Sequence, residues 1–169
     1  MNIKRYIATI ILAIVLLLNF SCTDWLDVKP VDRMSEDQLY STEAGFRQAL
    51  NGIYVELNHA DLYGDELLVN TVEILAQRYK FSSMGTLTNQ YHLAEFDYTT
   101  DYAKKCGSRI WEKAYALIAN VNKLLKNADS HKDLFTGDSY DLITGEAYAL
   151  RAFLHFDLLR LFGPVYKTH

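Results

Sequence analysis

Between residues 42 and 57 the apolar side chains Phe46, Leu50, Ile53 and Leu57 recur at intervals of four, three and four. That spacing lines one face of an α-helix, so a helix with one buried stripe is predicted. Thr42 stands where it can cap this helix, and Ser35 followed three positions later by Gln38 forms a capping box for a short helical turn ahead of it. A second helix is predicted from about Leu62 to Gln77, with Leu67, Ile74 and Leu75 among its apolar residues.

The clearest pattern lies further on. In SRIWEKAYALIANVNKLLKNA, residues 108–128, Trp111, Tyr115, Ile118, Val121 and Leu125 recur every three or four positions, and Trp111 and Tyr115 are read as core residues of that stripe. A polar link, DSHKDLFTGD, leads to SYDLITGEAYALRAFLHFDLLRLFGP. There Ile143, Ala147, Leu150, Leu154, Leu158 and Leu161 make one stripe, and Ala149, Ala152, Phe156 and Leu159 make a second side apolar as well. A helix apolar around most of its circumference is expected to lie buried between others. Gly163 and Pro164 end it. Two antiparallel helices, one too apolar for its partner alone to cover, resemble the units of a tetratricopeptide stack, where each pair completes its core on its neighbours. The fold class is therefore all-α.

Between the predicted second helix and this pair, residues 78–102 read RYKFSSMGTLTNQYHLAEFDYTTDY and keep no period, which predicts a long loop. Loops of that length within a domain are uncommon and usually functional or disordered. Six aromatics in these 25 residues, nearly double the 13% of the whole chain, argue against disorder.

The N-terminus follows a different rule. Lys4 and Arg5 precede a twelve-residue apolar run, Ile7 to Leu18, broken only by Thr9. A secretory signal needs a core of about 7 to 15 residues, whereas a spanning helix needs about 20, so a signal peptide is expected and an uncleaved anchor is the alternative. Small Ser21 precedes Cys22, which resembles a bacterial lipobox, with Asn19 where an aliphatic residue is usual. Residues 1–21 then form a lipoprotein signal peptide, Cys22 the lipid attachment site, residues 22–34 an extended tether and residues 35–169 the helical domain. More than one acyl chain on a single cysteine would anchor the protein stably in a membrane.

Composition narrows the function. The 169 residues carry a net charge of -4, and removal of residues 1–21 leaves 15 basic against 21 acidic side chains, which gives no electrostatic footprint for nucleic acid. The two cysteines, Cys22 and Cys106, form neither a zinc spacing nor a redox pair, and acylation of Cys22 leaves Cys106 a lone structural thiol. His59 and Asp61 lack a third metal ligand, and no cofactor is implied. Arg151, His155, Asp157 and Arg160 cluster on one helix without a nucleophile, Asp157 and Arg160 making an ordinary i,i+3 pair. Glu146 and Arg151 are expected to satisfy buried polar groups between helices.

Four blocks, SCTDWLDVKP, SEDQLYSTEAGFRQALNGIY, IWEKAYALIANVNKLL and GEAYALRAFLHFDLLRLFGPV, together closely resemble the N-terminal part of SusD/RagB-type outer-membrane lipoproteins of Bacteroidetes. The resemblance covers residues 22–166. It implies a larger α-helical fold of tetratricopeptide-like helix pairs, of which this chain is an N-terminal part. It also implies a cell-surface protein without enzymatic activity that binds oligosaccharides or other nutrients and passes them to a TonB-dependent, SusC-like transporter.

Glycan binding needs flat aromatic faces for sugar C–H groups and a few polar groups for the hydroxyls. Residues 78–101 offer both, with Tyr79, Tyr91 and Tyr98 as stacking candidates and Arg78, Asn89, His92 and Asp97 as polar partners. Two other functions remain open. A lipid-anchored glycoside hydrolase would need two carboxylates across one cleft, with Glu73, Glu95 and Asp97 as candidates. A helical-repeat scaffold for protein partners would need no exposed aromatics.

Lipidation at the N-terminus can be checked in cells. Cultures fed a clickable fatty acid should incorporate it into the wild-type protein, and Cys22→Ala should abolish the label. Label retained in the variant would place acylation elsewhere.

Overall fold

In the computed structural model, residues 34–82 and 85–164 are described, together with Ile3. The chain divides into two units, residues 1–35 and 36–169, and the second is the helical body. Apart from Ile3, the predicted signal peptide, Cys22 and the tether up to residue 33 lie outside the described residues.

The described part is all-α. Its elements are α1 (Glu36–Leu39), α2 (Glu43–Leu57), α3 (Thr71–Leu75), α4 (Thr88–Ala94), α5 (Asp101–Ser130), a 3-10 turn (Lys132–Leu134) and α6 (Ser139–Phe162). The Thr42 hydroxyl caps α2 by accepting from the Gly45 N–H at 3.2 Å, as its position predicts. Phe46, Leu50 and Ile53 are buried, and half-buried Leu57 packs on the same cluster. Among the described residues no helix is long and apolar enough to cross a membrane.

Three helices share the main core. On α5 the buried line runs through Ile110, Ala114, Leu117, Ile118, Val121, Leu124, Leu125 and Ala128, and on α6 through Ile143, Ala147, Leu150, Leu154 and Leu158. Each fully buried large aliphatic side chain contributes roughly 1.5 to 3 kcal/mol. Side-chain pairs along the rim give the directions. Tyr140 bonds Asp129, Arg151 bonds Asn122 and Phe162 meets Trp111, so numbers fall on α5 as they rise on α6 and the two run antiparallel. Arg47 bonds Ser139 and Tyr54 bonds Glu146, so α2 runs parallel to α6. Glu146 and Arg151 thus link helices, but at the exposed rim and not in a buried interface as expected.

Two sequence expectations need correction. The helix foreseen over 62–77 is helical only at Thr71–Leu75, because its anchors serve different clusters: Leu62 enters the main core, whereas Ile74 joins Leu93, Ala94 and Ala103 in a smaller one. Residues 58–70 therefore form a strap of wide turns, in which Tyr63 N–H reaches Leu57 C=O and Glu66 N–H reaches Ala60 C=O. The long loop of 78–102 holds α4 and the first two residues of α5, whose cap Thr100 accepts from Ala103 N–H at 3.2 Å.

The second apolar side of α6 is also exposed among the described residues. Leu142, Phe153, Phe156 and Leu159 are exposed. Arg160 lies over the Phe156 ring at 5.6 Å and Arg151 over Tyr148 at 5.0 Å, so the helix shields part of its own aromatic surface with charged stems.

The start of α2 is fixed from two directions. A Cβ on Gly45 would stand 1.7 Å from the Leu39 carbonyl oxygen, so only glycine lets α1 end this close to α2. Glu43 binds across to the α5–α6 connection, accepting from the Thr136 N–H at 3.0 Å and its hydroxyl at 2.8 Å. Hydrogen bonding from Ser139 and Thr136, assisted by Arg47, holds the Glu43 carboxyl down at about 2.

A depressed carboxyl stabilises the fold above its unfolded pKa, and that contribution disappears as pH falls through the folded value. Urea midpoints measured from pH 6 down to 2 should therefore fall more steeply for the wild type than for Glu43→Gln below about pH 4.5. Parallel curves would show that Glu43 is not coupled to folding.

Candidate functional site

A polar knot holds the strap to α5. Glu66, its side chain 3% exposed, accepts from the Thr71 hydroxyl, from Asn70 Nδ2 at 3.1 Å and from Arg109 Nη2. Arg109 also lies 3.6 Å from Asp61, and its Nη2 is 3.8 Å from the buried Cys106 sulfur. A guanidinium already neutralises Asp61 there, which leaves the His59–Asp61 pair, 3.4 Å apart, poorly suited to a metal cation. Tyr63 extends the strap to α6, donating to Asp157 at 2.7 Å and stacking on Phe153 at 5.1 Å. Burial and the Asp157 carboxylate push the Tyr63 phenol well above its ordinary pKa.

Next to this knot the small cluster and the main core part company, and a cavity of about 520 Å³ opens between them. Its walls come from α3 (Thr71, Leu75), α4 (Leu93), the residue Tyr98, α5 (Lys104, Gly107, Ser108, Trp111, Glu112) and the end of α6 (Leu161, Phe162). A second hollow of about 390 Å³ shares Trp111 and Phe162 and adds Tyr115, His155 and Leu159.

The sequence-predicted site residues do not converge on this cavity. Only Tyr98 lines it, with 58% of its surface exposed. Tyr79 is turned back on the strap, its hydroxyl donating to Val69 C=O at 2.9 Å and its ring edge-on to Phe81 at 5.9 Å. Half-buried Tyr91 meets His92 edge-on at 5.6 Å, and Asn89 is exposed on α4. Arg78 pairs with Glu73 at 3.8 Å. His92 lies 3.7 Å from Asp97, whose Oδ1 accepts from the Thr99 N–H at 3.0 Å and the Thr99 hydroxyl at 2.6 Å. Those Thr99 bonds hold the Asp97 carboxyl below the usual range, so Asp97 organises the turn into α5.

Trp111 and Tyr115 are the opposite case. Read as core, they are 44% and 40% exposed, because the buried line of α5 uses Ile110 and Ala114, one position earlier. Their rings lie 4.7 Å apart, and Phe162 meets Trp111 edge-on at 5.2 Å. The available signal was the row Ile110, Ala114, Leu117, Val121 and Leu124, which fits the helical period as well as the aromatic row does. Chemically, the cavity offers flat apolar faces edged by a phenol, an ammonium, a hydroxyl and a carboxylate.

Comparison with known proteins places this geometry in context. A SusD-like family model described as "Starch-binding associating with outer membrane" matches residues 24–169. SusD-like protein P2 of Formosa agariphila is 27% identical over 162 residues, covering 96% of this chain and 30% of that protein. SusD-like protein P25 of the same organism is 27% identical over 148 residues, covering 85% of this chain and 28% of that protein. The chain thus spans under a third of the length of these curated relatives. No solved structure matches significantly.

The knot that sets the α3 wall against α5 can be tested. Glu66→Leu keeps bulk but leaves Thr71, Asn70 and Arg109 without their acceptor, so chemical denaturation should show a loss of about 2 kcal/mol. An unchanged midpoint would remove Glu66 from the account of how the cavity is built.

Proposed function

The chain belongs to the SusD-like family, and from that membership we propose that it works as a cell-surface, lipid-anchored binding protein of the outer membrane that captures oligosaccharides or related nutrients. In this reading it acts without catalysis and hands its ligand to a TonB-dependent, SusC-like transporter. Residues 1–21 direct export, Cys22 carries the anchor, and residues 22–34 are the tether to the helical body.

The observation that carries the binding part is the cavity beside Tyr98 and Trp111. Exposed aromatic faces there stand within one hollow together with Lys104, Ser108 and Glu112. A hollow of about 520 Å³ falls within the usual size of small-ligand sites, roughly 300 to 1,000 Å³. The hydrolase alternative has less support, because two of its three candidate carboxylates have other engagements and the third, Glu95, does not line the cavity. Glu73 is paired with Arg78, and Asp97 is tied to Thr99 and His92. Neither lines the cavity. The scaffold alternative draws on the exposed outer side of α6, which suits a protein neighbour better than a sugar.

Affinity electrophoresis through gels containing soluble starch, other neutral polysaccharides or acidic ones separates these readings. The capture reading expects retardation by at least one polysaccharide, with no reducing ends released on prolonged incubation. Release of reducing ends would favour the hydrolase. Absence of retardation by every polysaccharide, together with a protein partner recovered by crosslinking to the α6 outer side, would favour the scaffold.

A further inference from the structure

How a glycan would be held, a question that rests on the capture reading, turns on the outer surface of α5. Two rows of side chains run side by side along it with a spacing of four. One is Gly107, Trp111 and Tyr115, the other Lys104, Ser108 and Glu112. The first row is aromatic beyond its opening glycine. The second carries an ammonium, a hydroxyl and a carboxylate, all exposed, and their side chains make no hydrogen bond or ion pair among the described residues. A sugar ring requires this combination, an apolar face to cover its C–H groups and a line of donors and acceptors for the hydroxyls at its edge.

The aromatic row is held in advance. Phe162 meets the Trp111 ring at 88° and Tyr115 tilts against it, so the indole is braced by two neighbours on a 30-residue helix while 44% of the residue stays exposed. Gly107 keeps the groove in front of Phe162 open: a Cβ there would first meet the Phe162 ring, at an ordinary 3.6 Å. Because Trp111 and Phe162 line both hollows, there is room for consecutive units on either side of one aromatic pair. The charges in the larger hollow are one Lys and one Glu, which cancel and give no preference for an anionic chain.

We propose that Trp111, braced by Phe162 and Tyr115 and flanked by the Lys104–Ser108–Glu112 row, is a stacking platform for a neutral chain of at least two hexopyranose units. The test uses the mature full chain carrying Trp25→Phe, which leaves Trp111 as the one indole of the two in the sequence. Maltoheptaose and laminariheptaose serve as neutral probes and an oligogalacturonate as the acidic one. At least one neutral probe should change Trp111 emission saturably, at least tenfold more tightly than the oligogalacturonate. Trp111→Ala should weaken binding tenfold or more by calorimetry. Gly107→Leu, which fills the groove and leaves the indole in place, should do the same with an unchanged circular dichroism spectrum, so the proposal stays testable if Trp111→Ala unfolds.

Neutral binding with no change in emission and undiminished in Gly107→Leu would overturn the platform while leaving capture intact. Preference for the acidic probe would overturn the assignment to neutral chains. Failure of all three probes, when starch or another polysaccharide still retards the protein in gels, would also overturn the platform. Failure in the gels as well would remove the capture reading beneath it.

Discussion

The rest of the molecule depends on α5 serving two apolar clusters at once. Along most of its length it carries the main core, and near its N-terminus Ala103 belongs to the smaller cluster with Ile74, Leu93 and Ala94. At about 1.5 Å of rise per residue, its 30 residues span about 45 Å, long enough to hold the two clusters apart on one rigid axis. The cavity lies where they separate. Leu93 and Ala103 come to it from one side, Ile110 and Leu161 from the other. A hollow between two packed bodies that share one helix needs no flexible lid to exist, and its shape is set by how the strap is fastened. That gives the buried Glu66 carboxylate a geometric part beyond its contribution to stability.

The large helices could be read in the sequence because their apolar periods are long, and α2 also because of its cap. Thr42 accepts from the Gly45 N–H as its position predicts, and the stripes of α2 and α6 match the buried residues observed, whereas the Thr100 cap of α5 lies inside the stretch that reads as a loop. The short helices α3 and α4 left no such trace. Neither has a side-chain cap, and each is followed by a non-glycine residue with positive φ, Gln77 and Phe96, both at 59°. That position normally signals itself as Gly or Asn. Gln77 is held there by tertiary contact, donating through Nε2 to the Ala94 C=O at 2.6 Å, so the stop of α3 depends on α4 and not on the local sequence.

The cavity was legible in its ingredients and illegible in its arrangement. The irregular stretch 78–102 carries the tyrosines that look suited to stacking, yet Tyr79 and Tyr91 are engaged with their neighbours and, of these three, only Tyr98 reaches the cavity. Trp111 reads as interior because large rings usually mark a core stripe. A shift of one residue turns a helix by about 100°, and here small Ala114 takes the interior position while Tyr115 faces outward. The same ambiguity affects α6, whose second apolar side looks like core in sequence and is exposed among the described residues.

Gly45 carries a consequence for how such a sequence can drift. With the Leu39 carbonyl 1.7 Å from where a side chain would begin, the three residues Tyr40, Ser41 and Thr42 cannot be shortened, and position 45 cannot exchange its residue while they keep their path. Change at this corner is open only to paired events, an insertion that loosens the turn together with a substitution at 45. Among the described glycines the tightest approach is thus at a buried corner between α1 and α2, whose residues do not line the cavity. A glycine that persists there through divergence would report a steric collision avoided, and would say nothing about what the protein binds.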